Sequence, residues 1–223
     1  MDDEISQIKK IVKSEVESIR KREGAVQEDV GKIKHGKRGK DELKKLGEYE
    51  REAKILKLML NKYVDVIKKK SDKLPEEIKQ LVNPEDEIVA ELAQRIKKKV
   101  AGDGDYDTES HFYDCAIIAF SFMRDEIRTF TPAIDIKLWL TPKEILDLKM
   151  ATPIDKCIFL CSLLRSLNGD ARILVGTLES GYEYPIILVS IEDDNFLLDP
   201  SQKIDFDTFR GPIDEIIPLF EVE

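Results

Sequence analysis

The chain has 223 residues, 42 % of them hydrophobic and 36 % charged, against a usual charged share of about 25 %. That is room for one domain of ordinary size plus an extension. No apolar run approaches the roughly 18 residues that cross a bilayer, and the opening Met1-Asp2-Asp3-Glu4 is unlike a secretory signal, so neither a membrane span nor export is expected. The net charge of −9 hides an asymmetry. Residues 1–100 hold 26 Lys/Arg against 21 Asp/Glu (+5), and residues 101–223 hold 10 against 24 (−14). The break near Gly102 suggests a boundary there, and a polyanion would be repelled by the C-terminal half. The three cysteines, Cys115, Cys157 and Cys161, are an odd number set inside apolar helical patterns. They suit reduced thiols in a cytosol, and a cytoplasmic protein is expected.

The first element predicted is a helix in which Ile5, Ile8, Val12, Val16 and Ile19 recur at spacings of three and four, an apolar stripe on a charged rod. Gly24 interrupts it, and Val26, Val30 and Ile33 continue a weaker stripe. The glycine-rich basic stretch Gly31–Lys40 breaks the pattern. A second helix over about 41–70 turns Leu43, Leu46, Ala53, Leu56, Leu60, Tyr63 and Ile67 inward. Residues 1–72 therefore read as a helical hairpin, possible as a short coiled coil.

Residues 73–101 read as connecting helices. A short one opens at Pro75. The next is predicted to start at Asn83 as N-cap with Pro84 in the first helical position, and to stop at Gly102. A helix over about 109–129 follows, rich in apolar residues from Phe112 to Met123. Thr141-Pro-Lys-Glu144 fits a capping box. The helix beginning near Asp155 is apolar on most faces, which predicts central burial. Strands are then expected over about 171–177, 184–191 and 195–199, with a turn at Glu192–Asn195. Helices first and a meander of strands afterwards make an α+β domain over 102–223.

The same stretches resemble the transglutaminase-like, papain-type cysteine enzymes. In that family the central helix opens with C-x-D-x-A-x-x-x-x-S-L-L-R, followed by a turn and A-R at the start of the sheet. Asp155, Ser162, Leu163, Leu164, Arg165, Ala171 and Arg172 fall in register with it. Phe120–Ile127 and Trp139-Leu-Thr-Pro-Lys-Glu-Ile-Leu146 are similar to the segments that lead into the nucleophile. The resemblance covers about residues 86–201, and it implies helices packed on an antiparallel sheet with the N-terminal hairpin as an extension.

What the resemblance implies for chemistry is a degenerate site. Such enzymes need a thiolate, an imidazole to take its proton and a carboxylate to orient the imidazole. Pro153 stands at the cysteine position and Tyr184 at the histidine position, while the carboxylate is kept as Asp199. A phenol with an ordinary pKa of about 10 is a poor base at neutral pH. Asp199 also has a plain reading as an Asp-Pro turn starter whose side chain binds backbone amides. Trp139 is expected to line the same cleft. Cys157, one turn beyond Pro153, is the alternative nucleophile, though at that depth its thiol should be inert, as should Cys161 and Cys115. His111 is expected at the start of an earlier helix.

Other signals are weak. Asp103, Asp105 and Asp107, with Asp114 further on, resemble a calcium loop without its glycine or its final glutamate. Cys157 and Cys161 with two histidines in the chain offer no zinc spacing, and Gly36–Lys40 lacks the parts of a phosphate-binding loop. No metal or other cofactor is expected. The basic cluster Lys32, Lys34, Lys37, Arg38 and Lys40 has no interleaved aromatic residues to stack bases, so nucleic acid is not the expected partner. The expectation is a non-catalytic module that binds a protein or peptide, or its own second copy through the hairpin. The alternative is a protease, amidase or acyl transferase using Cys157.

Overall fold

The structure is a computed structural model, and it describes residues 14, 17–18, 21, 47–55, 58, 79–102, 104–131, 139–177, 183–192, 194–206 and 217–222. Two compact units divide the chain: residues 1–72 with 132–138, and residues 73–131 with 139–223. In the first unit the described residues, 47–55 among them, are helical. The rest of the expected hairpin, with its basic tip, lies outside the described residues. So do Asp103 and most of the short helix after Pro75.

The second unit begins with a correction. Helix α1 (Glu87–Ala101) is capped by Asp86, whose carboxylate accepts from the amides of Ile88 and Val89, and not by Asn83 as the sequence suggests. Asn83 shapes the turn before it, accepting from Glu85 N at 3.0 Å, while its own N–H donates to Ser162 Oγ at 3.0 Å. A long-range bond thus holds Asn83 outside the helix, and the charged cap nearer the first amides wins. The end matches expectation: Gly102 takes φ 62° and its N–H reaches Lys98 O, a backbone that favours glycine.

Helix α2 (Thr108–Asp125) is shorter than the expected span to 129. Its last expected residues are drawn into a two-residue strand, β1 (Arg128–Thr129), which runs parallel to β2 (Met150–Ala151). Between them lies α3 (Pro142–Leu148), with the capping box of Thr141 and Glu144 in place. Helix α4 (Pro153–Ser166) follows β2 and is buried at ten successive positions, Asp155 to Leu164.

Four strands form an antiparallel sheet in the order β5-β4-β3-β6: β3 (Asp170–Thr177), β4 (Glu183–Ile191), β5 (Asp194–Leu198) and β6 (Ile217–Val222). The first three are the expected meander. Strand β6 goes beyond the sequence expectation and joins the other edge of β3. Rows such as Ala171–Val189 and Ile173–Ile187–Leu198 are buried. Helix α4 packs on β3 and β4, and also on α1 and α2, so it is the core of an α+β unit. Its far end turns at Asn168 (φ 69°) into Gly169, where a Cβ would lie 1.9 Å from Phe112 Cζ. Only glycine lets α2 approach that closely.

Candidate functional site

The N-terminus of α4 carries the first part of the site. Pro153 is the first helical residue, a place where its missing N–H costs nothing. Thr152 caps the helix, accepting from Asp155 N at 3.3 Å. Asp155 Oδ2 in return accepts from Thr152 N at 3.3 Å and from the Thr152 hydroxyl at 2.6 Å. The other oxygen, Oδ1, accepts from Leu140 N at 2.9 Å. That bond ties the partly exposed Trp139, one residue earlier, to the start of the helix. Asp155 is 1 % exposed, so these bonds satisfy a carboxylate that water does not reach.

The sheet supplies the second part. The Tyr184 hydroxyl, from the start of β4, donates to Asp199 Oδ2, just beyond β5, and accepts from Gln202 Nε2. Asp199 Oδ1 accepts from Ser201 N at 2.8 Å and from the Ser201 hydroxyl. Asp199 thus closes a turn on a backbone amide and also holds the tyrosine. Burial, and then the bond to Asp199, push the Tyr184 phenol well above its ordinary pKa. The phenol stays protonated and offers no base at neutral pH.

The thiols are buried and free of disulfides. Cys157 donates to Pro185 O at 3.6 Å, and burial, with Asp199 adding to it, raises its pKa well above the ordinary value. Cys161 faces Ala171 O at 3.4 Å and is pushed up to about 12 by burial. Cys115 is raised by burial as well. A nucleophilic cysteine needs the opposite shift.

His111 lies at the other end of α4. Its Nδ1 accepts from Asp107 N at 3.0 Å and its ring stacks on Tyr106 with centroids 5.9 Å apart. The Tyr106 hydroxyl donates to Leu167 O at 2.7 Å, just past the last residue of α4. A helix of 14 residues is about 21 Å long at ~1.5 Å per residue, so this imidazole is a helix length from Pro153. His35 lies outside the described residues. Among the described residues no group of three or more His, Cys, Asp or Glu could hold a metal ion.

Sequence reasoning passes over Lys156. Its side chain is 1 % exposed, and Nζ donates to Pro200 O at 2.6 Å and to Thr129 Oγ1 at 3.2 Å. The Thr129 hydroxyl in turn donates to Ser201 O at 3.0 Å. Burial pulls the Lys156 pKa down to about 8, against the opposing pull of Cys157, Asp199 and Asp125. A signal for it exists: a lone lysine inside a helix apolar on most faces is a buried charge in waiting. The contributions of Ser201 and Gln202 have no such signal, because both look like ordinary turn residues.

The helices and the small antiparallel sheet define the class as α+β. No family model matches the chain, and no curated protein does. Among solved structures, a proposed cysteine protease from Cytophaga hutchinsonii is similar at 11 % identity and a TM-score of 0.43. The overlap covers 65 % of this chain and 46 % of that one, so the chain spans less than half of its length. LapG of Legionella pneumophila, in its calcium-bound form, is similar at 13 % identity and a TM-score of 0.43, over 68 % of this chain and 84 % of that one. The EGTA-treated form gives the same identity and score. Overlaps of this size carry no argument about activity. No helix among the described residues is long and apolar enough to cross a membrane.

Proposed function

We propose that this protein is a degenerate member of the transglutaminase-like superfamily that works without catalysis, as a cytoplasmic module that binds a protein or peptide. The observation that carries this reading is Pro153 at the first position of α4, where the family's motif has its cysteine. The supporting geometry is the engagement of Asp199, whose two oxygens accept from the Tyr184 phenol and from its own turn. The docking face of this reading is the partly exposed set of Pro153, Trp139 and Tyr184, with the exposed Gln202 beside them.

The competing reading, a protease, amidase or acyl transferase built on Cys157, is disfavoured by a thiol that is 0 % exposed and shifted away from thiolate. Iodoacetamide labelling of the native protein across pH 6 to 9, read by mass spectrometry at each cysteine, separates the two. All three thiols reacting more slowly than free cysteine is the expected result. Fast labelling of Cys157 below pH 7 would overturn the proposal. A peptide-library screen then tests binding itself: ligands should be retained by the wild type and lost by Tyr184→Ala. Their retention by that variant would place the docking face elsewhere.

A further inference from the structure

The turn Asp199–Gln202 contributes Gln202 to the surface just described and holds Tyr184 through Asp199, and it rests on a buried cation. Lys156 Nζ reaches the Pro200 carbonyl at 2.6 Å directly. It reaches the Ser201 carbonyl through Thr129, whose hydroxyl accepts from Lys156 at 3.2 Å and donates to Ser201 O at 3.0 Å. The two carbonyls of the turn therefore point down onto α4 and β1. The side chains of Asp199, Ser201 and Gln202 bond to one another or to Tyr184 above them. The ammonium beneath is the anchor of the turn.

We propose that Lys156 is the positioning residue of this turn and that its protonation state gates the shape of the Tyr184–Gln202 surface. The proposal rests on the binding-module reading for its meaning, and on the hydrogen-bond geometry for its mechanism. A charged donor makes bonds roughly twice as strong as a neutral one. An ammonium holds the turn firmly, and a neutral amine holds it loosely.

Among the described residues, three groups act on the Lys156 charge. Asp199 comes from the turn itself, Asp125 from the end of α2, and Cys157 from its own helix. Asp125 is paired with Arg124 at 2.8 Å, and β1 meets the ammonium with the uncharged Thr129 hydroxyl. With the Lys156 pKa near 8 through burial, the change of state falls in an ordinary pH range.

Two effects of raising the pH have opposite signs. The folded lysine loses its proton near pH 8, while the unfolded one keeps it to about 10.5. The unfolded chain then binds more protons, and global stability rises with pH in that window. Locally the anchor weakens, and the turn loosens. A merely structural lysine moves only the first quantity.

Amide hydrogen exchange of the free protein at pH 7, 8 and 9, corrected for intrinsic exchange rates, reads the second. The amides of Ser201 and Gln202, which bond to Asp199, should lose about tenfold in protection between pH 7 and 9, the difference between a charged and a neutral hydrogen bond. Global urea midpoints should not fall over the same range. In Lys156→Met the protection should be low at pH 7 and independent of pH. In Lys156→Arg it should stay high through pH 9. Constant protection in the wild type, or the wild-type pH dependence persisting in Lys156→Met, would overturn the proposal. If a variant fails to fold, the wild-type series decides alone. No partner is needed, so failure here leaves the outcome of cysteine labelling untouched, and fast labelling of Cys157 would leave this anchor untouched.

Discussion

Pro153, Tyr184 and Asp199 show how much single side chains decide here. Proline at the first helical position keeps the helix start, because that position needs no N–H. Thr152 and Asp155 then carry the capping. Thr152→Ala should cost about 1 kcal/mol, the usual worth of an N-cap, seen as a lowered urea midpoint. An unchanged midpoint would mean that Pro153 and Asp155 suffice to hold the helix start. Tyr184→Phe removes the hydroxyl that satisfies Asp199 Oδ2, while Asp199 stays 1 % exposed. A loss of about 1–3 kcal/mol is expected, the cost of an unsatisfied buried acceptor. Equal stability of Tyr184→Phe and wild type would mean that the carboxylate finds another donor.

Elements are legible in the sequence where local chemistry settles them. The capping box at Thr141 and Glu144, the stop at Gly102 and the burial of α4 all follow from side chains within a few residues of the feature. The departures share a cause. Helix α2 ends early because Arg128 pairs with Met150, and α1 starts late because Asn83 is held by Ser162. Strand β6, with Pro218 in its midst, reads poorly as a strand and is stabilised by lying along β3. Element packing also makes Gly169 a sensitive position. Gly169→Ala puts a methyl against Phe112 and forces α2 away from the end of α4. Overpacking of this kind costs about 1–3 kcal/mol. A thermal midpoint equal to wild type would show that Phe112 swings aside freely.

For the second unit as a whole, buried titratable groups set the response to alkali. Lys156, lowered to about 8, adds stability as the pH rises from 8 toward 10.5. Cys115, Cys157 and Cys161 are raised above 9 and act the other way. Well below pH 9 both states hold the thiol proton. Above it the unfolded chain sheds three protons that the folded one keeps, and their stabilising contribution is lost. Each group can contribute up to about 1.4 kcal/mol per pH unit, so three thiols outweigh one lysine. Urea midpoints should stay nearly level from pH 8 to 9 and fall from 9 to 10.5. A monotonic rise to 10.5 would mean that the thiols are less deeply shifted than their burial implies.

Charge asymmetry, helix periodicity, caps and the meander of strands can all be read along the chain, because each depends on neighbours within a turn or two. The resemblance of Asp155, Ser162 and Arg165 to the transglutaminase-like motif is legible in the same way, and so is Pro153 in that register. Folding decided the rest. It brought the Asp199 turn onto Lys156, 43 residues or more away along the chain, closed the bond from Tyr184 to Asp199, and sent His111 to the far end of α4. Such contacts depend on where two distant segments meet in the core. No local pattern encodes that, since burial turns an ordinary lysine or aspartate into a structural centre only once water is gone.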